Sequence, residues 1–280
     1  MALDDNNKNL TTAIIKDLSS YNIKEKISIG TSGTRLKLWL EKDNNIVLFK
    51  IPKVHSSGEA SFEDISEYLV YNIFKDFGFN IIPSYIGRFK DLRGSFTFKK
   101  ENIYELTDYL STEYVDYNFT KFSATNFTYN VETLSRILSE NQFWNMMLLD
   151  FFIGNSDRHP GNIMIDEKFN VVELIDNGSS LLATIEENDI KDILRDEKRL
   201  NANCDSKSYS CIGLQDKRPV RWSELIQLIK SKTKKINTEE LFQKTKEELY
   251  KLCNENLISL DRSKLIQEFI LHKISLYKRV

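Results

Sequence analysis

The apolar positions change rhythm a little over a third of the way along the chain. Before that point, alternation dominates. Leu36, Leu38 and Leu40 alternate with Arg35, Lys37 and Trp39, the repeat of a half-buried strand. Asp43, Asn44 and Asn45 are turn chemistry. Residues 46–51 form a second strand, apolar except at Lys50, and so are expected near the middle of a sheet, with Pro52 ending it. Residues 60–77 are predicted to be helical: Phe62, Ile65, Leu69 and Ile73 keep helical spacing, and Gly78 is a stop signal. The stretches NIIPSYIGRF and GSFTFKKENIYEL add further strands. Ahead of all these, residues 10–21 have the pattern of a short amphipathic helix.

After about residue 106 the period lengthens to that of helix. Leu134, Ile137, Leu138, Trp144, Met147, Leu148, Phe151 and Phe152 predict a helix over residues 134–152. Two short apolar runs, NIMI and VVELI, flank residues 167–170 and predict a small hairpin. From Trp222 to the end the pattern predicts three helices, with Asn237 and Asp261 as caps of the last two. The fold class is therefore α+β with two lobes, a small β-rich one over residues 1–105 and a larger helical one over residues 106–280. The hairpin falls where they should meet, and clefts between lobes are where sites form.

Composition narrows the function classes. With 280 residues, 41% hydrophobic and 29% charged, the chain can bury a sizeable core. The net charge of −2 offers no basic field for nucleic acid. Cys204, Cys211 and Cys253 form no CxxC pair and no metal-ligand spacing, which fits a reducing compartment. The first ten residues are polar and acidic, unlike a signal peptide, and no apolar run approaches the ~20 residues of a membrane helix. The expectation is a cytoplasmic protein, or one exported without a cleaved signal.

The chemistry concentrates in GNSDRHPGNIMIDEKFNVVELIDNG, residues 154–178. Asp157 and Asn162 lie five apart on a loop leaving a helix, and Asp176 follows the hairpin that returns the chain. One carboxylate and one amide oxygen suit Mg²⁺, a hard cation that keeps several waters. The other carboxylate can orient an attacking hydroxyl, which is most of what phosphoryl transfer needs. Protein kinases space the catalytic-loop Asp and Asn in this way and place a second Asp on the following strand. His159 has no second His or Cys at zinc spacing and is read as shaping the loop. Arg158 can pair with a carboxylate, contact phosphate or stay solvated.

The first lobe offers the remaining parts. Lys50 interrupts an apolar strand, where a charge is costly unless paired. The next helix supplies Glu63 and Glu67 on one face, and Glu67, nearer mid-helix, is the chosen partner. Gly30, Thr31, Ser32 and Gly33 lie one hairpin ahead of Lys50, where backbone N–H groups can approach phosphate.

With these residues assembled, the chain resembles the HipA-like kinases, and among them the short bacterial CtkA-type serine/threonine kinases. GNSDRHPGNIMI followed by LIDNG is also similar to the D-R-H-x-x-N and I-D-F-G motifs of the phosphoinositide-3/4-kinases, which share an atypical two-lobed kinase fold. The resemblance implies ATP and Mg²⁺ as cofactors and a protein substrate. It makes Asp157 the catalytic base, Asn162 and Asp176 metal ligands, and Lys50 the lysine on the ATP phosphates. Two residues depart from the protein-kinase pattern: Asn155-Ser156 replace His-Arg before the catalytic Asp, and Asn177 replaces the Phe of Asp-Phe-Gly. A lipid kinase is the first alternative, although the stretch SLLATIEENDIKD is acidic where a headgroup site would be basic. A non-catalytic nucleotide-binding module is the second.

Overall fold

The computed structural model describes residues 14–27, 36–108, 138–155, 157–158, 160–205, 207–208 and 220–280. The first part of the chain is a mixed six-stranded sheet. Its strands are β1 (Ile15–Asp17), β2 (Asn22–Ile27), β3 (Lys37–Lys42), β4 (Asn45–Lys50), β5 (Tyr85–Phe89) and β6 (Leu92–Phe98), in the order β1-β5-β6-β4-β3-β2. The β3–β4 turn has Asp43 and Asn44 at positive φ (48° and 66°), as a tight hairpin requires. β4 lies inside the sheet, as its apolar run predicts. Val47 and Phe49 are sealed on one face and Lys50 points to the other. Helix α1 (Glu63–Phe74) crosses that second face, and a 3₁₀ turn carries it to Gly78, whose φ is 80°.

The chain leaves the sheet after Phe98. Strand β7 (Tyr104–Glu105) pairs instead with β8 (Ile163–Ile165), and β8 with β9 (Val171–Leu174), which is the predicted hairpin. The rest of the described chain is mainly helical: α2 (Glu140–Ile153), α3 (Glu187–Arg195), α4 (Glu197–Cys204), α5 (Trp222–Lys232), α6 (Thr238–Asn254) and α7 (Leu260–Arg279), with the short β10 (Lys207–Ser208) and β11 (Val220–Arg221) between α4 and α5. α2 is the spine of this part, buried without a break from Met146 to Ile153. Gly154 ends it at φ 65°, and a Cβ there would stand 2.7 Å from the Phe269 ring, so α2 and α7 meet only over a glycine.

Three expectations are corrected. Residues 14–21 are not helical: β1 adds parallel to β5, and Asp17 Oδ1 accepts the Ser19 N–H at 2.8 Å, turning the chain at once. A sheet edge and a side chain capturing backbone outweigh the helical spacing there; residues 10–13 lie outside the described residues. α2 begins at Glu140 rather than 134, because Ser139 caps it by accepting from the Gln142 N–H; Leu134 and Ile137 are outside the described residues, and Leu138 precedes the helix. The cap of α7 is Ser259, which accepts from the Arg262 N–H, and Asp261 falls in the first turn. Asn237 caps α6 as expected.

Candidate active site

Strand register builds the first half of the site. Lys37 on β3 pairs directly with Lys50 on β4, and Lys50 directly with Ser95 on β6. Directly opposed residues share a face, so these three polar side chains form a row facing α1. Gly94 makes the row possible: a Cβ there would sit 2.2 Å from the Lys50 carbonyl oxygen. Lys50 is 3% exposed. Its Nζ lies 3.1 Å from Glu67 Oε1, and the Ser95 hydroxyl donates to Glu67 Oε2 at 2.8 Å. Both oxygens of the buried carboxylate are thus engaged, which offsets the cost of sealing the pair from water. Of the two candidate glutamates, Glu67 meets Lys50. Glu63 turns away to the Ser61 hydroxyl and the Lys53 N–H.

The hairpin builds the second half. Ile163 pairs with Leu174, and the Ile175 N–H donates to the Asn162 carbonyl at 3.0 Å, so Asn162 stands one residue and Asp176 two residues beyond the paired ends. Asn162 Nδ2 donates to the Asp157 carbonyl at 2.8 Å, which turns the amide oxygen away from that carbonyl. The exposed Asp157 is held by its own N–H, which donates to Asn155 Oδ1. Asp176 reaches across to the first half: Oδ1 lies 3.6 Å from Lys50 Nζ and Oδ2 lies 3.8 Å from Lys37 Nζ. Its backbone is left-handed, at φ 56°.

The structure therefore brings Lys50, Glu67 and Asp176 together and ties Asn162 to Asp157. Gly30, Thr31, Ser32, Gly33 and His159 lie outside the described residues. Sequence reasoning passed over Lys37, which only the β3–β4 register reveals. It also passed over Glu105 on β7. Partial desolvation raises the carboxyl of Glu105, an exposed residue, above its ordinary value, the charges of Asp108 and Asp176 raise it further, and Lys37 opposes them. Arg158 takes the first of its three readings. It is fully buried against Asp150, whose carboxyl burial pushes up against the pull of the guanidinium.

No family model matches the sequence, and no curated protein matches it. Solved structures do. The Helicobacter pylori proinflammatory kinase CtkA superposes with a TM-score of 0.70 at 16% identity, over 95% of this chain and 97% of that one. This chain has the fold of that kinase. HipA of Shewanella oneidensis, solved with HipB and operator DNA, gives a TM-score of 0.44 at 12% identity, over 94% of this chain and 67% of that one, too slight a likeness to argue from. The α+β class, with a β-rich first part and a helical second part, is thus that of the CtkA kinase.

Against that fold, the donor set is informative. Asn162 and Asp176 offer hard oxygens, and the described residues contain no cluster of three His, Cys, Asp or Glu that could hold a metal. Such a pair does not suit zinc, but it fits a magnesium ion that takes its other oxygens from water and phosphate. No described helix is long and apolar enough to cross a membrane.

Proposed function

We propose that this chain is an ATP- and Mg²⁺-dependent serine/threonine protein kinase. The observation that carries the reading is the buried Lys50–Glu67 pair with Asp176 3.6 Å from the same ammonium. In protein kinases a strand lysine held by a helix glutamate, and an aspartate for the metal, must both be in place.

Lys50 holds the α- and β-phosphates and Glu67 fixes the lysine; the expected phosphate loop, residues 30–33, lies outside the described residues. Asn162 and Asp176 are the protein's ligands to magnesium, which when bound neutralises charge on the phosphates. Asp157 accepts the hydroxyl proton as the substrate oxygen bonds to the γ-phosphorus and the bond to the β-phosphate oxygen breaks. The lobes divide at residues 105 and 106, at the end of β7.

Incubating the purified chain with labelled ATP and Mg²⁺, with generic protein and with lipid, tests the reading. Label in protein Ser or Thr is the expected result. Label only in lipid, or none, overturns it. Asp157→Asn removes the proton acceptor, and label should fall about 10²–10⁴-fold while Mg²⁺-linked ATP binding persists.

A further inference from the structure

We infer that Arg158 and Asn177 form a clasp that positions the metal loop, the turn carrying Asp176; the inference rests on the reading above. Arg158 is 0% exposed, and every donor atom of its guanidinium has a fixed acceptor. Nε and Nη2 grip the Asp150 carboxylate at the end of α2, at 3.2 and 2.9 Å. Nη1 donates to the Asn162 carbonyl at 3.1 Å and the Ile175 carbonyl at 2.8 Å. Nη2 also donates to Asn177 Oδ1 at 2.6 Å. One of these carbonyls belongs to Asn162, a candidate metal ligand, and the Ile175 and Asn177 acceptors belong to the residues on either side of the second, Asp176. A single cation thus sets the spacing of the two ligands.

Asn177 occupies the place of Phe in the Asp-Phe-Gly pattern, and a phenyl ring cannot accept this bond. Its Nδ2 donates to the Leu174 carbonyl at 3.3 Å, and its own carbonyl accepts the Ser66 hydroxyl at 3.1 Å. The same hydroxyl lies 2.9 Å from the Ser180 carbonyl. Ser66 precedes Glu67 on α1, so the clasp runs from Asp150 to the helix that holds Lys50. The left-handed Asp176 sits inside it, and such a conformation persists only where the surroundings over-determine it. Arg158 touches no reacting atom in this account. It acts through Asn162 and Asp176, by way of a planar fork that lysine cannot reproduce.

Three variants test this. Asn177→Leu keeps the branched outline but removes the acceptor and the Nδ2 donor, Asn177→Asp keeps shape and acceptor, and Arg158→Lys keeps charge but not the fork. The readouts are amide exchange across residues 174–181, the Mg²⁺ concentration giving half-maximal ATP binding, and the melting temperature. Residues that support metal ligands typically govern about 10–100-fold in metal affinity. Asn177→Leu should therefore raise the Mg²⁺ requirement by about tenfold or more and speed exchange at residues 176–180, beyond the fall in melting temperature that the unmet Arg158 donor brings. Asn177→Asp should restore both. Arg158→Lys should move the Mg²⁺ requirement and the exchange in the same direction, with a larger fall in melting temperature because buried Asp150 loses its fork, and if it does not fold the Asn177 pair still decides. Unchanged exchange in Asn177→Leu overturns the clasp, as does a lowered melting temperature with an unmoved Mg²⁺ requirement. Wild-type protein that binds Mg²⁺ and ATP but transfers no phosphate overturns the kinase reading alone, and the exchange and binding arms still judge the clasp. Wild-type protein that shows no Mg²⁺-linked ATP binding overturns both.

Discussion

Lys50 in the sheet and Lys273 in the last helix are both sealed from solvent, at 3% and 0% exposure, yet their surroundings are opposites. Lys50 meets two carboxylates, one of them fixed by a serine hydroxyl. Lys273 makes no hydrogen bond among the described residues, and its Nζ lies 5.0–5.5 Å from the ring centroids of Phe151, Phe269 and Trp222. Rings attract a cation through their quadrupoles but cannot take the place of its water. Burial accordingly drives the Lys273 ammonium down to about 7, against smaller opposing effects of Asp205 and Cys204. Its neighbour His272 is lowered too, first by burial and then by the Lys273 charge. The two sites show that burial alone does not fix what surrounds a lysine. What distinguishes Lys50 is a set of anions whose balance an arriving phosphate or metal would change.

The largest effect should come from breaking the paired site. Lys50→Ala should lower turnover about 10²–10³-fold, as loss of a preorganised electrostatic group does. It should also destabilise the fold by roughly 3–5 kcal/mol, because Glu67 is left buried without its cation. Steady-state kinetics and urea melts read the two separately. Unchanged turnover would mean that Lys50 does not hold phosphate. Lys53 would be the next candidate, although it is exposed and its salt bridge is to Glu63, at 3.7 Å.

The unpaired site should respond in the opposite direction. The folded-state value of Lys273, about 7, lies below the ordinary 10.5. Across that window the unfolded chain binds the extra proton, so its contribution to stability climbs as pH rises and is most unfavourable below pH 7. Lys273→Met should flatten the climb and stabilise the protein at low pH, by something on the order of 3–5 kcal/mol. Turnover should be unaffected. Melts at about pH 6, 8 and 10 check the sign; a variant less stable than wild type at the lowest pH would show that the rings hold the charged form.

A smaller effect should follow at an exposed pair. Lys24 and Glu41 lie 3.2 Å apart, with side chains 47% and 39% exposed. Lys24→Ala should change stability by ~0.5 kcal/mol or less, measurable in the same melts. A larger loss would mean that proximity rather than burial sets the cost of a lysine here.

The sequence by itself determined the parts that depend on neighbours within a few residues. Lys50 stood out because a charge interrupts an apolar run, and the Asp157–Asn162 spacing with Asp176 beyond a hairpin is a local pattern. The β3–β4 turn and the Asn237 cap were legible for the same reason. The tertiary structure decided everything that depends on which segments become adjacent. Lys37 reads as one polar position in an alternating strand until register places it beside Lys50, and a return of the chain from 139 residues away brings Asp176 to it. Arg158 had three open readings until Asp150, inside an apolar helix, proved to be its partner. Helix α3 begins in a stretch read only as acidic, helix α4 follows where no element was expected, and residues 14–21 became strand and turn because an open sheet edge was at hand. Propensity and spacing act over a few residues, while desolvation, ion pairing and strand pairing depend on whatever the fold brings alongside. That is why single residues were readable in advance and their partners, with few exceptions such as Glu67, were not.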